Sequence, residues 1–211
     1  MKKNLITAVL MTIVTTILLG IIYPLVVTAL AQVLFHDKAN GQLISRDGKV
    51  IGSRIIGQPF TGPGYFHSRP SAAGTNGYDA TSSAGTNYAA TNQKLLDRVK
   101  GDVDTLHSEN PSTPVPIDMV TTSASGLDPD ITPASAYFQV PRIAKTRGLS
   151  EEQVRSLIAA HGYGRDLGLL GEPRLNVLEL NLALDARVPN NATNNKSSHN
   201  TDLTSRLAAG Q

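Results

Sequence analysis

From Leu5 to Phe35 the chain reads LITAVLMTIVTTILLGIIYPLVVTALAQVLF, with no formal charge in the run. A bilayer core of about 30 Å needs only about 20 helical residues, so the pattern predicts a transmembrane helix over 5–35. The triplet Ala29-Leu30-Ala31 behind Lys2 and Lys3 also fits a cleaved export signal. The apolar regions of such signals run about 7 to 15 residues, however, and the longer run here favours a retained helix. The two lysines precede the span, and His36, Asp37 and Lys38 follow it without a net positive cluster. The positive-inside rule then puts residues 1–4 in the cytoplasm and everything after the span outside. Pro24 is expected to kink the helix or divide it into a membrane part and an interfacial part. Tyr23 suits an interfacial or packed position, and Thr7, Thr12, Thr15, Thr16 and Gly20 would let a neighbouring helix pack closely.

Beyond the span the apolar positions become short and periodic. Leu43–Arg46 and Val50–Ile56 flank Asp47-Gly48, which predicts a β-hairpin. Residues 57–92 are rich in Gly, Ser, Thr, Asn and Pro but carry Phe60, Tyr65, Phe66, Tyr78 and Tyr88. Disordered segments are poor in aromatics, so this reads as a packed, partner-facing loop. Asn92 is placed to cap a helix over 93–107, where Leu95, Leu96, Val99, Val103 and Leu106 form one apolar stripe, as in a core helix. A short strand is expected over Met119–Thr122. TTSASGLDPDITPASA, residues 121–136, then reads as a rigid strand-to-helix corner, with Asp128 bonding nearby amides, Thr132 as helix cap and Pro133 in the first turn. Pro141 should split the following run into two helices closed by Gly148, and Ser150 to Gln153 form a capping box for the next. NVLELNLALD alternates leucines with polar residues and predicts a strand. Residues 189–211 are polar and low in complexity and read as a disordered tail. The fold class is therefore α+β: one N-terminal transmembrane helix, then a single small mixed α/β extracytoplasmic domain over 36–188.

Composition removes several kinds of chemistry. Lys and Arg number 19 against 17 for Asp and Glu, with no basic run, so a nucleic-acid partner is not expected. No cysteine is present, and the five histidines include no pair spaced three or four apart, so no metal site is expected. Asp128-Pro129-Asp130 supplies too few oxygen donors for a calcium loop. The phosphate-cradling G-x-x-x-x-G-K-[ST] loop and the G-x-S-x-G nucleophile elbow are both missing, so no catalytic residue is assigned. An anchored domain of this kind is most economically a subunit that binds another protein. The competing reading is a singly anchored solute-binding or enzymatic domain, which would require a concave pocket with convergent polar groups.

Four blocks carry a resemblance: IIYPLVVTALAQVLF, GSRIIGQPFTGPGYFHSRPSA, TTSASGLDPDITPASAYFQVPRIAKTRGLS and LNVLELNLALD. In that order, across residues 15 to 187, they closely resemble the KdpC family, the C subunits of bacterial Kdp potassium-transporting P-type ATPases. The chain departs from the family pattern at Asp130, where His or Asn is more usual, and in the tail after Val188. The resemblance implies an accessory subunit of the inner membrane, assembled with a potassium-conducting subunit, an ATP-hydrolysing P-type subunit and a small fourth subunit. It also implies a catalytic chaperone that raises the pump subunit's affinity for ATP. A domain outside the membrane does not meet cytoplasmic ATP, so that effect is read as a coupling through the partners. The chain has neither the D-K-T-G sequence of the pump nor a T-V-G-Y-G-like filter. Candidate partner contacts are Tyr23 and Pro24 in the span, Phe60, Tyr65, Phe66, Arg69 and Pro70 in the loop, Gly126, Leu127, Asp128 and Pro129 in the corner, and Gln139. Membrane lipid is the remaining expected contact.

Overall fold

The computed structural model describes residues 1–187, so the tail expected over 189–211 lies outside the described residues. The chain falls into two compact units, Met1–Ser53 and the residues from Arg54 onward. In the first unit, helix α1 (Lys2–Ile17), a π turn (Leu18–Ile22) and helix α2 (Tyr23–Leu34) run on as one helix from Lys2 to Leu34. It is long and apolar enough to cross a membrane, and none of its side chains is buried. Pro24 does not end it. The proline ring excludes the carbonyl four residues back, and the π turn just before it re-routes the ladder, with the Tyr23 N–H donating to the Leu18 carbonyl. The Thr7, Thr12 and Thr15 hydroxyls donate to carbonyls four residues back at 3.0, 2.9 and 2.7 Å, which satisfies them without a partner helix.

A short helix α3 (His36–Ala39) leads to strands β1 (Leu43–Arg46) and β2 (Lys49–Ser53), paired antiparallel. Asp47 and Gly48 both take positive φ, 53° and 75°, the backbone that a two-residue hairpin turn requires. The second strand stops at Ser53, short of the expected Ile56, and the hairpin belongs with the helical unit.

The second unit is built around helices α5 (Pro133–Phe138), α6 (Val140–Arg147), α7 (Glu151–Ala160) and α8 (Val177–Arg187). Two short strands, β3 (Asp130–Ile131) and β4 (Leu175–Asn176), pair antiparallel beside them. The core joins Val140 and Ile143 of α6, Val154, Leu157 and Ile158 of α7, Leu180 and Leu184 of α8, and Phe66 from the long loop. The expected caps are in place. Thr132 accepts from the Ser135 N–H, Ser150 and Gln153 form the capping box, and Gly148 ends α6 in the left-handed conformation. Pro141 lies in the first turn of α6, so the break falls at Gln139.

Three expectations are corrected. NVLELNLALD is mostly helix α8, not a strand; only Leu175 and Asn176 pair. Its alternating leucines also satisfy helical spacing: Val177, Leu180, Asn181 and Leu184 face the core, while Leu182 is half-buried. Leu, Ala and Glu favour the helix, and almost no β-branched residue opposes it. Met119–Thr122 is not a strand, since a 3₁₀ turn (Ile117–Met119) occupies its start and buries Asp118. Helix α4 (Gln93–Glu109) forms with Asn92 as its cap, but it buries no residue; Leu95, Val99, Val103 and Leu106 are half-buried and Leu96 is 49% exposed. It is a surface helix.

Candidate partner-binding surface

The loop over residues 57–92 has little regular structure, so its backbone groups need partners from elsewhere. Side-chain amides supply them. Asn181 of α8 accepts from the Phe66 N–H at 2.8 Å and donates to the Phe66 carbonyl at 2.9 Å. Gln139, between α5 and α6, accepts from the His67 N–H at 2.7 Å and donates to the His67 carbonyl at 3.2 Å. Each carboxamide thus presents one donor and one acceptor to an extended residue, as a neighbouring strand would. Two guanidiniums hold the residues before them. Arg142 donates to the Pro63 and Tyr65 carbonyls at 2.5 and 3.0 Å and pairs with Glu109 at 3.2 Å. Arg147, fully buried, donates to the Gly64 carbonyl at 2.7 Å, pairs with Asp185 at 2.8 Å and lies 4.6 Å over the Tyr65 ring. His67 is held below its ordinary value of 6.5, first by burial and then by the Arg142 charge, and its Nε2 lies 3.0 Å from the Gly62 carbonyl.

The corner closes on this loop from the other side. Arg69 pairs with Asp128 at 2.9 Å, the Ser71 hydroxyl donates to the Gly126 carbonyl at 2.6 Å, and the Gly57 N–H donates to the Leu127 carbonyl at 2.8 Å. Gly126 has φ 67°, and a Cβ there would stand 2.5 Å from the Ala84 carbonyl oxygen, so the close approach needs glycine. Asp128 also accepts from the Asp130 N–H at 3.0 Å, the local bond expected of it. Asp118, buried in the 3₁₀ turn, accepts from the Thr132 N–H at 2.8 Å and from the Ser135 hydroxyl, which locks the cap of α5. Asp130 is raised above its ordinary value of 3.8 by burial first and by Asp128 second, with Arg174 and Asn176 pulling the other way.

The candidate contacts therefore separate into outer and inner residues. Tyr23, in the first unit, is 62% exposed, and Pro24 is exposed beside it. Phe60, Tyr65, Arg69, Pro70, Leu127, Asp128 and Pro129 are half-buried and keep an outward edge. Phe66 and Gln139 are 0% and 1% exposed, and Gly126 is buried, so these three support the surface from within and present no face of their own. Sequence reasoning missed Asn181, Arg142, Arg147 and Asp118. The bonds that matter join residues 115 apart for Asn181 and 72 apart for Gln139, beyond the reach of local pattern. A shallow cleft of about 220 Å³ opens beside the corner, lined in part by Phe60, Arg69, Pro70 and Tyr78. Two of its polar groups are bonded within its wall: Tyr78 donates its hydroxyl to the Arg69 carbonyl, and the Ser71 oxygen accepts from the Tyr78 N–H at 2.8 Å.

Side chains from distant parts of the chain thus hold the loop and the corner in place, and comparison with known proteins assigns the chain to a family. The family model described as KdpC, the c chain of the K+-transporting ATPase, matches residues 5–186. The chain belongs to the KdpC family. A Koribacter versatilis protein named potassium-transporting ATPase KdpC subunit is 68% identical over 189 residues, covering 90% of this chain and 97% of its own. Proteins of the same name from Acidobacterium capsulatum and Rhodopseudomonas palustris are 58% and 56% identical, each covering 98% or more of its own length and 87% and 88% of this chain. The match covers the candidate span and the clamped loop in one stretch, so the family pattern includes both.

Proposed function

We propose that this chain is the accessory subunit of an ATP-driven potassium import complex, anchored in the bacterial inner membrane by its N-terminal helix. The observation that carries the reading is the match over residues 5–186, which takes in the apolar helix and the soluble unit together. The relatives are named as subunits of a potassium-transporting ATPase. Partners of this chain are accordingly a potassium-conducting subunit, an ATP-hydrolysing P-type subunit and a small fourth subunit. The soluble unit lies outside the cytoplasm, on the strength of Lys2 and Lys3 ahead of the span. Its role is that of a catalytic chaperone: it stabilises the conformer of the complex that binds ATP more tightly, and the effect reaches the nucleotide through the partners as a coupling free energy. The rigidly held loop and corner favour this role, because a surface fixed in its docked geometry binds with less ordering cost.

The rival reading, a solute-binding or enzymatic domain, draws no support from the cleft beside the corner, whose volume of about 220 Å³ is below the roughly 300–1,000 Å³ of ligand pockets. Two measurements test the proposal. Protease added to intact spheroplasts should cleave the soluble unit; protection until detergent is added would overturn the orientation. The purified complex lacking this chain should show a higher KM for ATP than the complete one, and an unchanged KM would overturn the chaperone role.

A further inference from the structure

The sequence holds two Asn-Gly pairs, Asn40-Gly41 and Asn76-Gly77. An asparagine in such a pair carries its own reactant: the backbone nitrogen of the next residue attacks its side-chain amide carbon, and glycine puts no Cβ in the way. The two pairs differ in what the fold leaves free. The Asn40 amide nitrogen donates to the His36 carbonyl at 2.7 Å and to the Gln32 side chain at 3.1 Å, and its oxygen accepts from Gln32 at 3.3 Å. The Gly41 N–H is also used, donating to the Lys38 carbonyl at 3.2 Å. Asn76 instead stands exposed in a turn, and among the described residues neither its side chain nor the Gly77 N–H has a hydrogen-bond partner. The near-copy of this stretch, AGTNY over 84–88, places Tyr88 after Asn87, and its side chain crowds the nitrogen that glycine leaves open.

The backbone around Asn76 is closed into a ring. The Ser71 hydroxyl accepts from the Ala73 and Tyr78 N–H groups at 3.1 and 2.8 Å and donates to the Gly126 carbonyl of the corner at 2.6 Å. The Asp79 N–H donates to the Ala73 carbonyl at 3.1 Å, and a Cβ on Gly77 would stand 3.2 Å from the Ser71 Cβ. Hydrogen bonds of this kind weaken steeply when their angles open, so the ring has no slack for an added backbone atom.

We infer that Asn76-Gly77 is a self-modifying site, at which the folded chain forms isoaspartate and thereby loosens the joint between the loop and the corner. In the first step the Gly77 nitrogen bonds to the Asn76 side-chain carbonyl carbon. The side-chain nitrogen leaves as ammonia, taking up the proton that the Gly77 nitrogen gives to solvent, and a cyclic imide closes. Water then opens the imide at one of its two carbonyls, with no oxidant or reductant involved. Opening at the side-chain carbonyl gives aspartate on an unaltered backbone. Opening at the main-chain carbonyl gives isoaspartate, which routes the backbone through the side chain and adds one carbon inside the ring closed by Ser71. Either product adds a negative charge to the wall that Asn76 shares with Arg69.

The test uses the purified full-length chain in detergent, aged at mildly alkaline pH and sampled by peptide mass spectrometry and isoaspartate-specific methylation. The peptide with Asn76 should gain one mass unit at least tenfold faster than the peptide with Asn40, and unfolding in denaturant should shrink that ratio below threefold. No gain at Asn76 in the folded chain, a folded ratio below threefold, or a ratio unchanged by unfolding would overturn the site. Asn76→Gln cyclises far more slowly and removes no hydrogen bond, since Asn76 makes none among the described residues. The unfolding temperature of the wild-type chain should fall in step with its isoaspartate content, whereas aged Asn76→Gln and fresh Asn76→Asp should keep the fresh wild-type value. An undiminished unfolding temperature in the aged wild type, or an equal loss in either variant, would overturn the loosening of the joint.

Discussion

Residues 60–70 lie almost entirely outside helix and strand, yet side chains from α6 and α8 tie down their backbone and Phe66 is wholly buried. Residues 163–174 pair as a hairpin, yet they present three leucines to water. The contrast separates local backbone pairing from burial. A segment without local pairing becomes part of the core when amides and guanidiniums supply its hydrogen bonds, and a locally bridged one remains a surface feature when its apolar side chains find no cover in their own chain. Stability should therefore be concentrated in the first region, with little of it carried by the leucines of the second.

The strongest attack on that division is Arg147→Met. Methionine keeps an apolar cover for Tyr65 but leaves Asp185 without its buried partner and the Gly64 carbonyl without its donor. Removing one member of a buried ion pair costs about 3–5 kcal/mol, which should appear as a large fall in unfolding temperature of the detergent-purified chain. A fall worth under about 1 kcal/mol would mean that packing alone holds the loop. Asn181→Leu comes next. It leaves the Phe66 N–H and carbonyl buried and unpaired at a cost of about 2–4 kcal/mol, and a near-neutral result would show that the amide pairing is dispensable. A third test uses pH. The folded state holds His67 below 6.5 because burial and Arg142 disfavour its charged form. The unfolded chain therefore takes up the proton first, so the stabilisation is present above pH 6.5 and is lost as pH falls through the folded-state value. Unfolding temperature should decline on acidification below 6.5, and His67→Gln should flatten that segment of the profile.

The features legible in the sequence were those set by neighbours along the chain. The apolar run, the Asp47-Gly48 turn, the caps at Asn92, Thr132 and Ser150, and the helix break that Pro141 signals depend on residues within a few positions of one another. Local pattern was ambiguous where a leucine ladder satisfied two periods, and α8 resolved that in favour of propensity. The stripe on α4 was correctly placed on a helix, but periodicity does not say how deeply a face is covered. The candidate surface was half legible. Aromatic content marked residues 60–70 as packed, while the choice of inward Phe66 and Gln139 over outward Arg69 and Pro70 depended on Asn181 and Arg147, which are distant in sequence. Even the leucines at 167, 169 and 170 sit within an ordinary Gly-rich turn pattern, and only their exposure makes them unusual.

The smallest expected effect bears most directly on the contrast. Leu167→Asn replaces a leucine at φ 55° with a residue whose short amide can bond the adjacent backbone, and it removes no buried contact because the leucine is 90% exposed. The isolated chain should gain about 0.5–1 kcal/mol, roughly half of the usual cost of left-handed backbone for an L-residue. The shift is measurable as a rise in denaturant midpoint at constant slope. A destabilised variant would mean that Leu167 already packs within its own chain and would move the hairpin to the side of residues 60–70. A stabilised variant would show that the turn holds a leucine at the expense of its own fold.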